Sequence, residues 1–112
     1  MPYIVTVAFA RPASGTYNFN MDYYFSHHTT LAIKAFRPLG LQSLTVVDYR
    51  EDATQPYLIT NVMEWDSVEE FQRQQGSESV QSVFADIVNV TDLQPIFLQG
   101  EVKKTWKADA TN

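Results

Sequence analysis

Hydrophobic and polar positions follow two different periods along the chain, and the changes between the periods predict its elements. Four stretches are rich in β-branched and aromatic residues and are flanked by polar or turn-forming residues. The first of them, YIVTVAFAR, is typical of a strand. The pattern therefore predicts four strands, at residues 3–11, 44–50, 57–65 and 95–104.

Between the first and second strands the period becomes helical. Apolar side chains recur at spacings of three and one, which places them on one stripe of an amphipathic helix. Asn20 is suited to cap this helix, and Pro38 and Gly40 are expected to end it. The stripe consists of Met21, Tyr24, Phe25, His28, Leu31, Ala32, Ala35 and Phe36.

A second helical region is predicted between the third and fourth strands. Ser67, with Glu70 three residues later, is a capping-box start. Gly76 and Ser77 are expected to end one helix and cap the next, and residues 89–92 to form a turn. The apolar positions of this region are Val68, Phe71, Val80, Val83, Phe84 and Ile87.

The order of these elements is β-α-β-β-α-β, which predicts an α+β fold of the ferredoxin-like type. Such a fold has a four-stranded antiparallel sheet with two helices on one face. The 112 residues fit a single domain, with a core at about 3–104 and a tail at 105–112.

Two of the predicted strands are apolar on both faces. In residues 3–10, Tyr3, Val5 and Val7 lie on one face while Ile4 and Ala8 lie on the other. Residues 57–65 show the same pattern. Two helices cover only one face of a sheet, so the other face is expected to pack against a second copy of the chain. A homodimer is therefore predicted.

Composition and charge exclude several classes of function. The net charge is −5 and no basic run occurs, which argues against nucleic-acid binding. The absence of cysteine removes disulfides, thiolate nucleophiles and cysteine-based metal sites. Residues 1–10 alternate like a strand rather than a signal peptide, and no apolar run is long enough for a membrane span. A cytoplasmic protein without membrane association is the expectation.

His28 is the main candidate for chemistry. Only two histidines exist and they are adjacent, so the helical period separates them: His27 belongs to the polar face, and His28 to the apolar stripe. Apolar surroundings favour the neutral imidazole, which is a usable base near pH 7. A lone histidine in such a stripe is also compatible with a purely structural role.

Tyr24 lies one turn before His28 on the same face, where its hydroxyl could orient a substrate or the imidazole. The alternative is a core tyrosine whose hydroxyl reaches solvent. Asp22 suits the positive end of the helix dipole, and Tyr23 is expected on the outer face or at an interface. No phosphate-binding glycine motif or nucleophile elbow occurs, and no His pair has metal-ligand spacing. Neither a metal nor a cofactor is predicted, although His28 could in principle ligate a haem.

Two segments of the chain resemble the EthD family. Residues 19–31, FNMDYYFSHHTTL, are similar to that family's motif of an aromatic residue, an acid, a Tyr-Tyr pair and a His four residues after the second Tyr. The resemblance aligns His28, not His27, with the motif's histidine. Residues 87–102 are similar to the family's closing turn and last strand. Thr30 differs from the proline common in the family, and Asn20 stands where an acid is frequent.

The resemblance implies a ferredoxin-like domain that dimerises into an α/β barrel, with a pocket between helices and sheet. It also implies a small enzyme that acts without a cofactor on a hydrophobic, aromatic or polyketide-like molecule, with oxidoreductase or monooxygenase-like chemistry. His28 would move a proton, and Tyr24 would hold the developing oxyanion. The expected pocket walls are Phe9, Phe25, Trp65 and Phe84. Cyclase, dehydratase or other lyase chemistry on a similar substrate is the alternative, and a non-catalytic binder of apolar ligands is a further one.

Overall fold

The computed structural model describes residues 2–73 and 77–108 and has the predicted order of elements. Because β-branched and aromatic residues favour a pleated, half-buried surface, they dominate the central strands. The strands are β1 (Tyr3–Ala10), β2 (Leu41–Asp48), β3 (Tyr57–Trp65) and β4 (Pro95–Glu101). The helices are α1 (Met21–Tyr23), α2 (Thr29–Phe36), α3 (Val68–Gln72) and α4 (Glu78–Val90).

The four strands form one antiparallel sheet in the order β2-β3-β1-β4, which confirms the ferredoxin-like fold. The register places Val7 of β1 opposite both Asn61 of β3 and Phe97 of β4. These three side chains therefore lie on the same face of the sheet, the face toward the helices.

The first helical region is not a regular α-helix. Between α1 and α2 the chain forms a π turn at Tyr24–His28, closed by a hydrogen bond from the Thr29 N–H to the Tyr24 carbonyl five residues back. Asn20 caps α1, since its side chain accepts from the Tyr23 N–H. The wider turn changes the predicted stripe: Thr29 is buried and Phe25 is 52% exposed.

The end of this helical region depends on Gly40. After a 3-10 turn at Arg37–Leu39, Gly40 adopts a φ of +109°, which side chains other than glycine tolerate poorly. A Cβ atom at this position would lie 2.8 Å from the Glu70 Oε2. Gly40 thus allows both the reversal of the chain and the close approach of α3.

The second helical region begins as predicted, with the Ser67 hydroxyl accepting from the Glu70 N–H. Gly76, expected to separate the two helices, lies outside the described residues. Ser77 is the N-cap position of α4 but makes no side-chain capping bond. The predicted turn at 89–92 starts later, because α4 continues to Val90.

The core has two apolar clusters between sheet and helices. One surrounds Trp65, with Phe36 and Phe71 packed edge-on against its ring at 5.5 Å. The other includes Phe9 and Tyr24. Within the described part of the chain, no helix is both long and apolar enough to cross a bilayer.

Candidate active site

His28 lies at the end of the π turn, buried against α4. Its Nδ1 atom is 2.9 Å from the Asp86 Oδ2. Asp86 is itself buried on α4, 58 residues further along the chain. The two helices therefore bring a base and a carboxylate together in a site from which water is largely excluded.

The Asp86 carboxylate accepts three hydrogen bonds. Besides His28, the Tyr23 hydroxyl donates to Oδ1 at 2.5 Å and the Asn89 amide donates at 3.0 Å. Burial raises the pKa of Asp86, but the hydrogen bonds from Tyr23, Asn89 and His28 outweigh burial and hold that pKa below its ordinary value. The hydrogen bond to this carboxylate in turn raises the pKa of the Tyr23 hydroxyl.

An ionised Asp86 fixes the tautomer of a neutral His28. Because a carboxylate can only accept, the imidazole proton must be on Nδ1, and the lone pair is then on Nε2. In residues 2–73 and 77–108 the bond to Asp86 is the one hydrogen bond made by this ring. The arrangement matches a histidine base oriented by an acid.

Tyr24 stacks on His28 and supplies a second polar group. The two rings are nearly parallel, at 16° with centroids 5.5 Å apart. The Tyr24 hydroxyl accepts a hydrogen bond of 3.0 Å from the Asn61 amide, so its own proton remains available to another acceptor. Burial raises the pKa of Tyr24 to about 12, although the Asn61 bond opposes that rise, and the hydroxyl is therefore protonated at neutral pH.

His28, Tyr24 and Asn61 line one cleft between the helices and the sheet. The rest of its wall is apolar and includes Phe9 and Phe84. Among the described residues the buried Asn61 Oδ1 has no hydrogen-bond partner, which is unusual for a native polar atom. The cleft has a volume of about 30 Å³, which is room for one or two waters.

Two of the four predicted wall residues line this cleft and two do not. Phe9 and Phe84 are in its wall. Trp65 is not, because β3 carries it about 13 Å along the strand from Asn61, into the other core cluster. Phe25 is directed away from the cleft because the π turn replaces a regular turn at this point.

Sequence reasoning missed Asp86, Asn61 and the role of Tyr23. Asp86 follows Val83 by three residues and therefore lies on the buried face of α4, where an acid is exceptional. Asn61 stands among apolar neighbours on the helix-facing side of β3. A polar residue at an apolar position of the pattern was therefore the signal that could have identified Asp86 and Asn61. Tyr23, expected on the outer face or at an interface, is half-buried and donates its hydroxyl to Asp86.

The described residues contain no group of three or more His, Cys, Asp or Glu side chains that could hold a metal ion. A haem fits this site poorly, because the space beside His28 amounts to about 30 Å³.

The sequence matches no family model and no curated relative. Several solved structures share its fold. An EthD-like protein from Ralstonia eutropha is 20% identical, with a TM-score of 0.72, covering 93% of this chain and 96% of that one. SnoaB, a cofactor-independent oxygenase from Streptomyces nogalater, is 11% identical, with a TM-score of 0.69 and coverage of 93% and 95%. A dimeric ferredoxin-like protein of unknown function from Thermobifida fusca is 15% identical, with a TM-score of 0.54 and coverage of 91% and 92%.

These likenesses give the chain the fold of EthD-like proteins, as the motif at residues 19–31 predicts. The same fold is found in an oxygenase that uses no cofactor. At these identities the comparison concerns the fold alone.

Proposed function

We propose that this protein is an EthD-type enzyme that abstracts a proton from an apolar small molecule, with His28 as the base. The observation that supports it best is the 2.9 Å contact of Asp86 with His28, which lines an apolar cleft. A histidine with a purely structural role does not need a buried carboxylate that accepts three hydrogen bonds beside it. A catalytic base, in contrast, must be held in one tautomer and one orientation.

In the proposed step, a C–H or O–H proton of the substrate moves to the His28 Nε2. The electron pair remains on the substrate as an enolate or phenolate, and the imidazolium is stabilised by Asp86 on its other side. Asp86 does not touch the substrate and is thus a positioning residue. The substrate needs an acidic C–H next to a carbonyl group or a hydroxyl group on an aromatic ring.

Tyr24 is proposed to donate its hydroxyl proton as a hydrogen bond to the developing oxyanion. Its raised pKa suits this role, because a hydroxyl that stays protonated remains a donor throughout the reaction. The unpaired Asn61 Oδ1 can accept from a substrate hydroxyl in the same cleft.

The fate of the substrate anion defines the overall reaction. Reaction of the anion with dioxygen would be monooxygenase-like oxidoreductase chemistry: one oxygen atom bonds to the deprotonated carbon to give a carbonyl, the other leaves as water, and the substrate supplies the four electrons. SnoaB, which is described as a cofactor-independent oxygenase, favours this route. Ring closure or loss of water would be cyclase or dehydratase chemistry from the same first step. We propose the oxidoreductase route without a cofactor.

We further propose a cytoplasmic homodimer that packs through the sheet face opposite the helices. The exposed Ile96 and the 55% exposed Leu98 lie on that face together with Ile4 and Val62. A contiguous apolar face of this kind favours association. The Thermobifida fusca protein of the same fold is described as dimeric.

The test is the exchange of the acidic C–H hydrogens of 2-tetralone, a bicyclic aromatic ketone, for deuterium in D₂O. Proton NMR follows this exchange and needs no knowledge of the natural substrate. The native protein is expected to accelerate it, and His28→Ala to abolish the acceleration. His27→Ala is the matched control, since His27 is the exposed neighbour on the same helix.

Native-like exchange by His28→Ala would refute the role of His28 as the base. Saturable binding of 2-tetralone without any acceleration would instead favour the non-catalytic binder.

A further inference from the structure

The reacting groups lie in a space too small for the substrate that they imply. The cleft beside His28 offers about 30 Å³, whereas pockets for drug-sized ligands measure roughly 300–1,000 Å³. Only a small part of a substrate fits there, such as a hydroxyl group or a carbonyl group with the C–H next to it. The apolar body of the substrate must therefore lie outside the cleft.

An open groove of about 410 Å³ lies next to it, between the C-terminal half of α4 and the start of β4. The groove and the cleft share three residues, Phe84, Ile87 and Phe97. The Phe84 and Phe97 rings meet edge to face at 5.8 Å, and both are nearly half exposed. They form the boundary between the outer groove and the inner cleft.

The polar side chains at the rim of the groove are largely engaged within the protein. Asp92 accepts two hydrogen bonds from Asn18, and the Thr91 hydroxyl donates to the Asn18 carbonyl. Val88, which is 78% exposed, adds an unpartnered apolar surface. The groove thus offers apolar contacts, and the carboxylate of Asp92 disfavours an anionic ligand at this end.

We infer that this groove is the subsite for the neutral aromatic body of the substrate, whose hydroxyl or carbonyl group reaches past the Phe84–Phe97 pair into the cleft that His28 lines. Aromatic rings suit this boundary because a planar ring can pack against both phenylalanines in offset or edge-to-face geometry. Phe84 and Phe97 are then specificity-determining residues. The inference rests on the proposed function, since His28 is taken as the destination of the polar group.

The test compares the binding of phenol and 2-naphthol to the whole protein by NMR chemical-shift titration. The second ring of 2-naphthol is expected to lie in the groove and to tighten binding about tenfold. Val88→Asp should reduce this ratio of dissociation constants toward one. Ser82→Asp, an exposed position of α4 outside the groove, should leave it near tenfold.

His28→Gln separates this inference from the proposed function. It should weaken both phenols while the ratio of their dissociation constants stays high. Equal binding of the two phenols, or none, would overturn the groove as a subsite; equal binding that still depends on His28 would leave the proposed function intact. A high ratio with no dependence on His28 would overturn the passage of the polar group to His28, and the proposed function with it.

Discussion

Replacing Asp86 by asparagine tests how the buried carboxylate controls His28. Asparagine has nearly the same shape, but its amide group can donate where the carboxylate only accepts. Facing an amide donor, the Nδ1 of His28 becomes the acceptor, and the proton moves to Nε2. The substrate-facing nitrogen then loses the lone pair that the proposed step requires.

The stability cost follows from the three hydrogen bonds that Asp86 accepts, at 2.5, 2.9 and 3.0 Å. Bonds to a charged group contribute about 1.5–3 kcal/mol each and neutral ones about 0.5–1.5 kcal/mol. Because asparagine can still accept from Tyr23 or Asn89, we expect Asp86→Asn to lower the free energy of unfolding by about 2 kcal/mol at pH 7. Asp22→Asn, at an exposed acid in the first turn, should cost less than about 1 kcal/mol.

The pH dependence of this cost has a definite sign. Since the folded pKa of Asp86 is depressed below 3.8, its charge stabilises the fold fully above that pH and progressively less as the pH falls through the folded pKa. The difference in unfolding free energy between native protein and Asp86→Asn should therefore shrink in acid. Urea denaturation at several pH values measures it.

Nitrogen-15 NMR of the His28 ring measures the tautomer directly. The native protein at pH 8 should carry the proton on Nδ1, and Asp86→Asn should carry it on Nε2. A native His28 with its proton on Nε2, or a variant with an unchanged tautomer, would refute the reasoning.

Three further predictions concern stability and assembly. Because burial raises the pKa of Tyr24 from 10.0 to about 12, its ionisation should cost the native protein about 3 kcal/mol of stability as the pH rises from 10 through 12. Tyr24→Phe should lose about 3 kcal/mol less than native protein over this range in alkaline urea titrations, and equal losses would contradict the role of Tyr24. Gly40→Ala should lower the free energy of unfolding more than Gly15→Ala does, by about 1 kcal/mol or more in urea denaturation. Both glycines have a positive φ, but among the described residues only Gly40 has a side chain, that of Glu70, within 4 Å of the new Cβ, so equal losses would contradict this contact. Leu98→Lys should convert the proposed dimer into a monomer, as measured by light scattering, and a native protein that is already monomeric would contradict the proposed interface.

The central strands were predictable because their burial leaves a strong pattern. Strand β3 runs from Tyr57 to Trp65, as the sequence predicts. Strand β2 begins at Leu41 rather than at residue 44. The prediction missed its first residues because the polar, exposed Gln42 and Ser43 follow Leu41 and the register shifts there. An exposed edge imposes little hydrophobic pattern on the sequence.

The candidate site was predictable only on one helix. The helical period separated His28 from His27, since both belong to one element with one phase. The partner Asp86 is 58 residues away, and no local spacing encodes that contact. Phe25 was misplaced because a regular period was continued through the π turn, which the propensities of these residues do not indicate.

The central claim is that His28 abstracts a proton, and the rate of deuterium exchange into 2-tetralone tests it most directly. General-base catalysis contributes about 10²–10⁴-fold to a rate. The account predicts that His28→Ala lowers the protein-dependent rate at least about 100-fold, while His27→Ala stays within about twofold of native. Equal rates for the two variants would contradict it.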